Sequence, residues 1–67
     1  MSFGKKMKEL RGSKTKLEVS KALNLTYSSY SKYEREERVP RDDVKVRIAN
    51  YYNTTVGDIF FAPSEHI

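Results

Sequence analysis

The feature that most constrains this chain is a pair of helix starts set too close together for either helix to be long. Thr15-Lys16-Leu17-Glu18 is a capping box, in which the threonine hydroxyl accepts from the third helical amide and the carboxylate reaches back to the cap amide. The helix that follows carries Val19, Ala22 and Leu23 on its apolar face and meets Asn24, the residue that best tolerates a left-handed turn after glycine. Leu25 comes next, and Thr26 caps another helix running to about residue 35. Helices of about two turns are marginal in isolation, so these two must be held by packing against each other and a shared core. Ser20 is small where they approach, Leu25 plugs the turn, and Tyr30 and Tyr33 point inward, leaving Tyr27, Ser28, Ser31 and Lys32 outside.

The remaining chain supplies the core for this pair. Phe3, Met7 and Leu10 recur at helical spacing over residues 3–11, and Gly12 sits where a helix end needs positive φ. Pro40 breaks the pattern after the helix over 27–35. Val44, Ile48, Ala49, Tyr51 and Tyr52 then mark a helix over 42–52, with Asp42 and Asp43 complementing its N-terminal dipole and Asn53 ending it. Thr55-Val56-Gly57-Asp58 caps a last short helix over 56–61, and residues 62–67, with Pro63, read as a tail. The expectation is an all-α single domain over 1–67, with five helices at 3–11, 16–23, 27–35, 42–52 and 56–61.

A chain of 67 residues buries little surface, and with no Cys and one His it lacks disulfide and metal reinforcement. Stabilisation by a second copy is therefore expected. Tyr51, Tyr52, Phe60 and Phe61 read as core, but four aromatics near one end are more than so short a chain readily buries, so some of them are expected to form a dimer surface. His66 belongs to the tail and has no neighbouring ligand in sequence, so no metal is expected. No stretch is apolar enough to span a membrane, and the charged first ten residues exclude a signal peptide, which points to the cytoplasm. There is no cysteine nucleophile, no glycine-rich phosphate loop and no carboxylate pair with a reason to be buried, so the chain reads as non-enzymatic.

Thirteen Lys and Arg against nine Asp and Glu give a formal charge of +4. That balance suits a polyanionic partner through phosphate neutralisation, although a solvated basic surface would look the same. The two short helices and their tight turn are more specific. Nearly the whole chain resembles the Cro/C1-type (Xre-like) helix-turn-helix regulators of bacteria and phages. The resemblance is carried by Leu10-Arg11-Gly12, residues 15–25 (TKLEVSKALNL), Ser31-Lys32-Tyr33-Glu34-Arg35, Arg38-Val39-Pro40-Arg41-Asp42, Ile48-Ala49-Asn50-Tyr51-Tyr52, Val56 and Ile59-Phe60-Phe61. It departs from that pattern at Asn24 and Glu36, where the family favours glycine, and at Tyr30, where it favours an aliphatic residue. Glu36 implies a different backbone in that turn, and Tyr30 implies an enlarged cavity or a ring tilted toward the groove.

The resemblance implies a compact five-helix lambda-repressor-like DNA-binding domain, a dimer that docks its third helix in the major groove of a double-stranded operator. Carried over residue by residue, it makes Tyr27, Ser28, Ser29 and Lys32 the base contacts and Lys16 a phosphate contact. The chemistry agrees: lysine donates to guanine O6 or N7, serine pairs with several base edges, and a tyrosine ring meets a thymine methyl. Arg35, Arg38 and Arg41 follow the third helix and are the expected backbone clamp, though the same arginines could pair with Glu34, Glu36, Glu37 and Asp42 as an ordinary surface network. Lys5, Lys6 and Lys8 read as a solvated face. No cofactor and no small-molecule ligand are expected, because one domain leaves no room for a sensor. The alternative function is a protein-interaction module, such as the antitoxin half of a pair, docking through its aromatic end. RNA binding ranks third, since no sheet with stacking aromatics is in view.

Overall fold

The computed structural model describes residues 3–61, which form α1 (Phe3–Arg11), α2 (Lys16–Ala22), α3 (Tyr27–Glu34), α4 (Asp42–Tyr51) and α5 (Val56–Phe60), with no strand among them. The expected tail over 62–67, with Pro63 and His66, lies outside the described residues. The helices start where expected, and α2 to α5 each end one residue early because Leu23, Arg35, Tyr52 and Phe61 serve as C-caps.

Local chemistry explains the boundaries. Both halves of the Thr15 capping box form: the Glu18 amide donates to Thr15 Oγ1 at 3.1 Å, and the Thr15 amide donates to Glu18 Oε1 at 2.8 Å. These bonds hold the Glu18 carboxyl below its ordinary range. Thr26 and Thr55 accept from the amides of Ser29 and Asp58. Helices α2, α3 and α4 end on one pattern. Asn24, Glu36 and Asn53 take φ near +60°, and the next residue in each case (Leu25, Glu37, Thr54) donates its amide back to the carbonyl of Ser20, Lys32 or Ala49. The amides of Asn24, Glu36 and Asn53 themselves donate to the carbonyls of Lys21, Tyr33 and Asn50, and each resulting pair of bonds satisfies carbonyls that a helix end would otherwise leave orphaned. The turn after α3 thus keeps the left-handed backbone; the expectation of a different one is corrected. Glu36 tolerates that conformation where its carboxylate accepts from the Gly4 amide at 3.1 Å, supplying the start of α1 with an acid that its own first turn lacks.

The core draws on every helix: Met7 of α1, Val19 of α2 with its cap Leu23, Tyr30 and Tyr33 of α3, Val44, Ile48 and Ala49 of α4, and Ile59 of α5. Two expectations about faces are corrected. Ala22 is exposed because the buried stripe of α2 runs through Val19, Ser20 and Leu23, and position 22 falls outside that arc. Ser31, expected outside, is buried, because α3 packs on α1 and α2 at once and needs a wider inward face. Gly4 is required by one such approach, since a Cβ there would collide with the Glu34 carbonyl.

Candidate nucleic-acid interface

The third helix owes its presentation to what lies beneath it. Tyr30 is fully buried, and its hydroxyl meets that of Tyr52 at 2.6 Å. Of the two positions left open for this ring, the inward one is occupied. Burial pushes the hydroxyls of both tyrosines above the ordinary phenol range. Beside them, the Glu34 carboxylate is completely buried and pairs with Arg11 through two bonds, Nε to Oε2 at 2.7 Å and a terminal nitrogen to Oε1 at 3.2 Å. The hydrogen bond to Glu34 raises the pKa of Arg11, and Arg11 also donates to the Lys14 carbonyl at 2.8 Å. One network therefore ties α1, α3 and the end of α4 together, and no buried side-chain nitrogen or oxygen among the described residues lacks a partner.

Glu34 was read from sequence as one of several surface acids, and that reading is corrected. The signal available was its place one turn after Tyr30 and next to Tyr33, on the inward stripe of α3. Arg47 was missed as well; it donates to the Leu23 carbonyl at 3.0 Å and so braces the C-terminus of α2 against α4.

Outward, the sequence-derived residues fall into two groups. Tyr27 is half exposed and Ser28 exposed at the start of α3, while Ser29 and Lys32 are partly buried along the same helix. Lys16, at the start of α2, lies with Nζ 3.4 Å from Ser31 Oγ, which places its ammonium at the junction of α2 and α3. The structure brings these five residues to the α2–α3 pair. Arg35, Arg38 and Arg41 are exposed beyond the end of α3. Between the two groups runs an open cleft of about 490 Å³, with Leu25, Tyr33 and Val44 as apolar lining and Ser29, Arg38 and Arg41 as polar lining. Of the surface network weighed from sequence, Arg35 pairs with Glu37, whereas Arg41 pairs with Asp43 and Asp42 with Lys45.

The expected dimer residues are divided. Tyr52 is committed to Tyr30, Tyr51 stands edge-on to Tyr52 at 5.1 Å under the Lys14 ammonium, and Phe60 packs on Phe3 at 5.3 Å. Phe61 is 61% exposed, with the Lys45 ammonium 5.1 Å from its ring. Among the described residues, no helix is long and apolar enough to cross a membrane, and no cluster of three or more His, Cys, Asp or Glu could hold a metal ion.

Two short helices joined by a left-handed turn, the second with a capped and polar outer face and a core of three further helices behind it, define an all-α helix-turn-helix domain of the lambda-repressor-like type. The comparisons with known proteins agree. The helix-turn-helix family model matches residues 5–59, and the chain belongs to this Cro/C1-type family of DNA-binding regulators. It is 37% identical over 57 residues to the HTH-type transcriptional regulator ImmR of Bacillus subtilis (strain 168), a stretch covering 82% of this chain and 45% of that protein. The chain thus spans less than half the length of that relative. No solved structure matches it.

Proposed function

We propose that the chain is a sequence-specific double-stranded DNA-binding transcription regulator, a repressor that acts as a dimer on a pseudo-palindromic operator. The observation that carries this reading is the exposed start of α3, with Tyr27 and Ser28 presented on a helix whose inward face is fixed by Tyr30, Tyr33 and Glu34. Base-edge readout needs polar side chains held rigidly at groove depth, and this arrangement supplies them. Tyr27, Ser28, Ser29 and Lys32 read bases; Lys16, Arg38, Arg41 and Arg35 meet phosphates. The second copy docks on the end of α4 and α5, with Phe61 as the exposed anchor and the half-buried Tyr51, Tyr52 and Phe60 adding the surface that the core leaves open. A twofold dimer sets the two α3 helices about 34 Å apart. The protein is cytoplasmic in this reading, and repression follows from occupying the operator.

Selection of bound sequences from a random duplex library at near-physiological salt tests the proposal. The expected result is a motif of two half-sites about one helical turn apart, with Lys32→Ala relaxing one position in each half. Failure to enrich any motif would overturn sequence-specific binding, and a single half-site would overturn the dimer.

A further inference from the structure

The three arginines beyond α3 are not equally available to a duplex. Arg35 already has a two-point partner: its Nε lies 3.3 Å from Glu37 Oε2, and a terminal nitrogen donates to Glu37 Oε1 at 3.3 Å. Arg41 is held more loosely, with Nε 3.7 Å from Asp43 on side chains 84% and 63% exposed. Arg38 is exposed at the cleft, and no carboxylate among the described residues lies within ion-pair distance of it.

The position of Glu37 is set by the backbone. Glu36 takes the left-handed conformation and the Glu37 amide donates to the Lys32 carbonyl at 2.9 Å, which closes the turn and brings position 37 beside position 35. A guanidinium engages a carboxylate and a phosphate through the same kind of two-pronged edge, so a carboxylate held on the Nε edge takes that edge from a phosphate and offsets the charge the phosphate would meet. We propose that Glu37 sets the affinity of the DNA interface: its carboxylate competes with duplex phosphates for Arg35, so the backbone grip falls mainly on Arg38. This rests on the DNA-binding reading above. Both side chains of the pair are about half exposed, and exposed pairs are weak, so the competition amounts to about a two- to fivefold change in binding. Phosphate contacts carry no sequence information, so the change applies equally to any duplex.

The test is a salt series of duplex binding by the full chain, using one random-sequence duplex and one duplex recovered by selection. The unmodified protein is compared with Glu37→Gln, Arg35→Gln, the double variant, and Glu9→Gln, which makes the same charge change on α1. Glu37→Gln is expected to tighten binding to both duplexes about two- to fivefold and to steepen the log–log salt slope by up to about 0.9, the mark of one added phosphate contact. Arg35→Gln alone is expected to weaken binding, by about twofold or less because Glu37 already competes for that contact, and in its background the Glu37→Gln gain disappears. A gain no larger than that of Glu9→Gln, or one that survives without Arg35, would mean that net charge alone is responsible and would overturn the proposal. A changed sequence preference in Glu37→Gln would also overturn it, by making the carboxylate a base reader. Absence of salt-dependent duplex binding by the unmodified chain is a distinct result: it sinks the DNA-binding reading itself.

Discussion

Glu34 and Glu37 are three residues apart, each paired with an arginine, and they do opposite work. Glu34 is fully buried and meets Arg11 across α1 and α3 at 2.7 Å, whereas Glu37 is half exposed and meets Arg35 two residues away at 3.3 Å. The difference is solvation. A carboxylate stripped of water depends on its partner and on the hydroxyls around it, and losing the partner leaves a charge that nothing else stabilises. A carboxylate in water loses little when its partner leaves. The first pair therefore holds the third helix in place, and the second leaves its arginine available to another anion.

The largest effect that would break this comparison is at Glu34. Glu34→Ala leaves Arg11, 16% exposed, without its carboxylate, and is expected to cost about 3–5 kcal/mol. That is enough to unfold much of a domain this small at ambient temperature, as read by thermal or urea denaturation followed by circular dichroism. The sharper variant is Arg11→Met with Glu34→Leu, which removes both charges. It is expected to recover most of the loss, because the penalty lies in the unpaired charge. Failure to recover would mean that the pair contributes through its geometry instead, by clamping α1 to α3.

Next in size is the response to alkali. The Tyr30 hydroxyl has its pKa raised from 10.0 by burial first and by its bond to Tyr52 second. The sign follows from proton binding: the unfolded chain releases this proton above about pH 10 and the folded chain keeps it. The stability linked to Tyr30 is thus complete below pH 10 and lost as pH rises beyond it, by about 1.4 kcal/mol per pH unit at most. Tyr30→Phe should flatten the alkaline branch of a stability–pH curve by about one proton. An unchanged slope would mean that Tyr30 ionises in the folded state, and so that its hydroxyl is not desolvated. At neutral pH the same substitution removes the hydroxyl that meets Tyr52 and Glu34 at otherwise constant shape and is expected to cost about 1–3 kcal/mol.

How much of this was legible in the sequence follows from which signals are local. Helix starts were readable because a threonine cap and a glutamate three residues on act within one turn, as at Thr15 and Glu18. Helix ends were readable at Gly12, Asn24 and Asn53, where residue type announces positive φ, and not at Glu36, where it does not. Glu36 takes that conformation in a setting that includes Gly4, far away in sequence, and no window around position 36 contains that information. The inward orientation of Tyr30 was left open for a similar reason. A tyrosine is compatible with either face until the partner for its hydroxyl is known, and Tyr52 lies on another helix. On the outer face of α3, helical periodicity placed Tyr27 and Ser28 in solvent but not Ser31, whose burial depends on α1 and α2 packing there together. The arginines beyond it were legible as cations but not as paired or unpaired ones.

The smallest expected effect is also the one that most sharpens the comparison. Glu37→Gln should change folding stability by less than about 0.5 kcal/mol, because an exposed pair two residues apart gains little and costs side-chain entropy to hold. Denaturation of this variant beside Glu34→Ala would then place two glutamates from one short stretch about an order of magnitude apart in their contribution to stability. Should Glu37→Gln prove as damaging as a core substitution, its backbone position in the turn after α3 would matter more than its charge, and Arg35 would have to be counted as part of the scaffold. A near-zero effect on folding combined with tighter duplex binding would separate the two roles cleanly. The buried carboxylate would then belong to the fold and the exposed one to the interface, although the same residue type pairs with the same residue type in both.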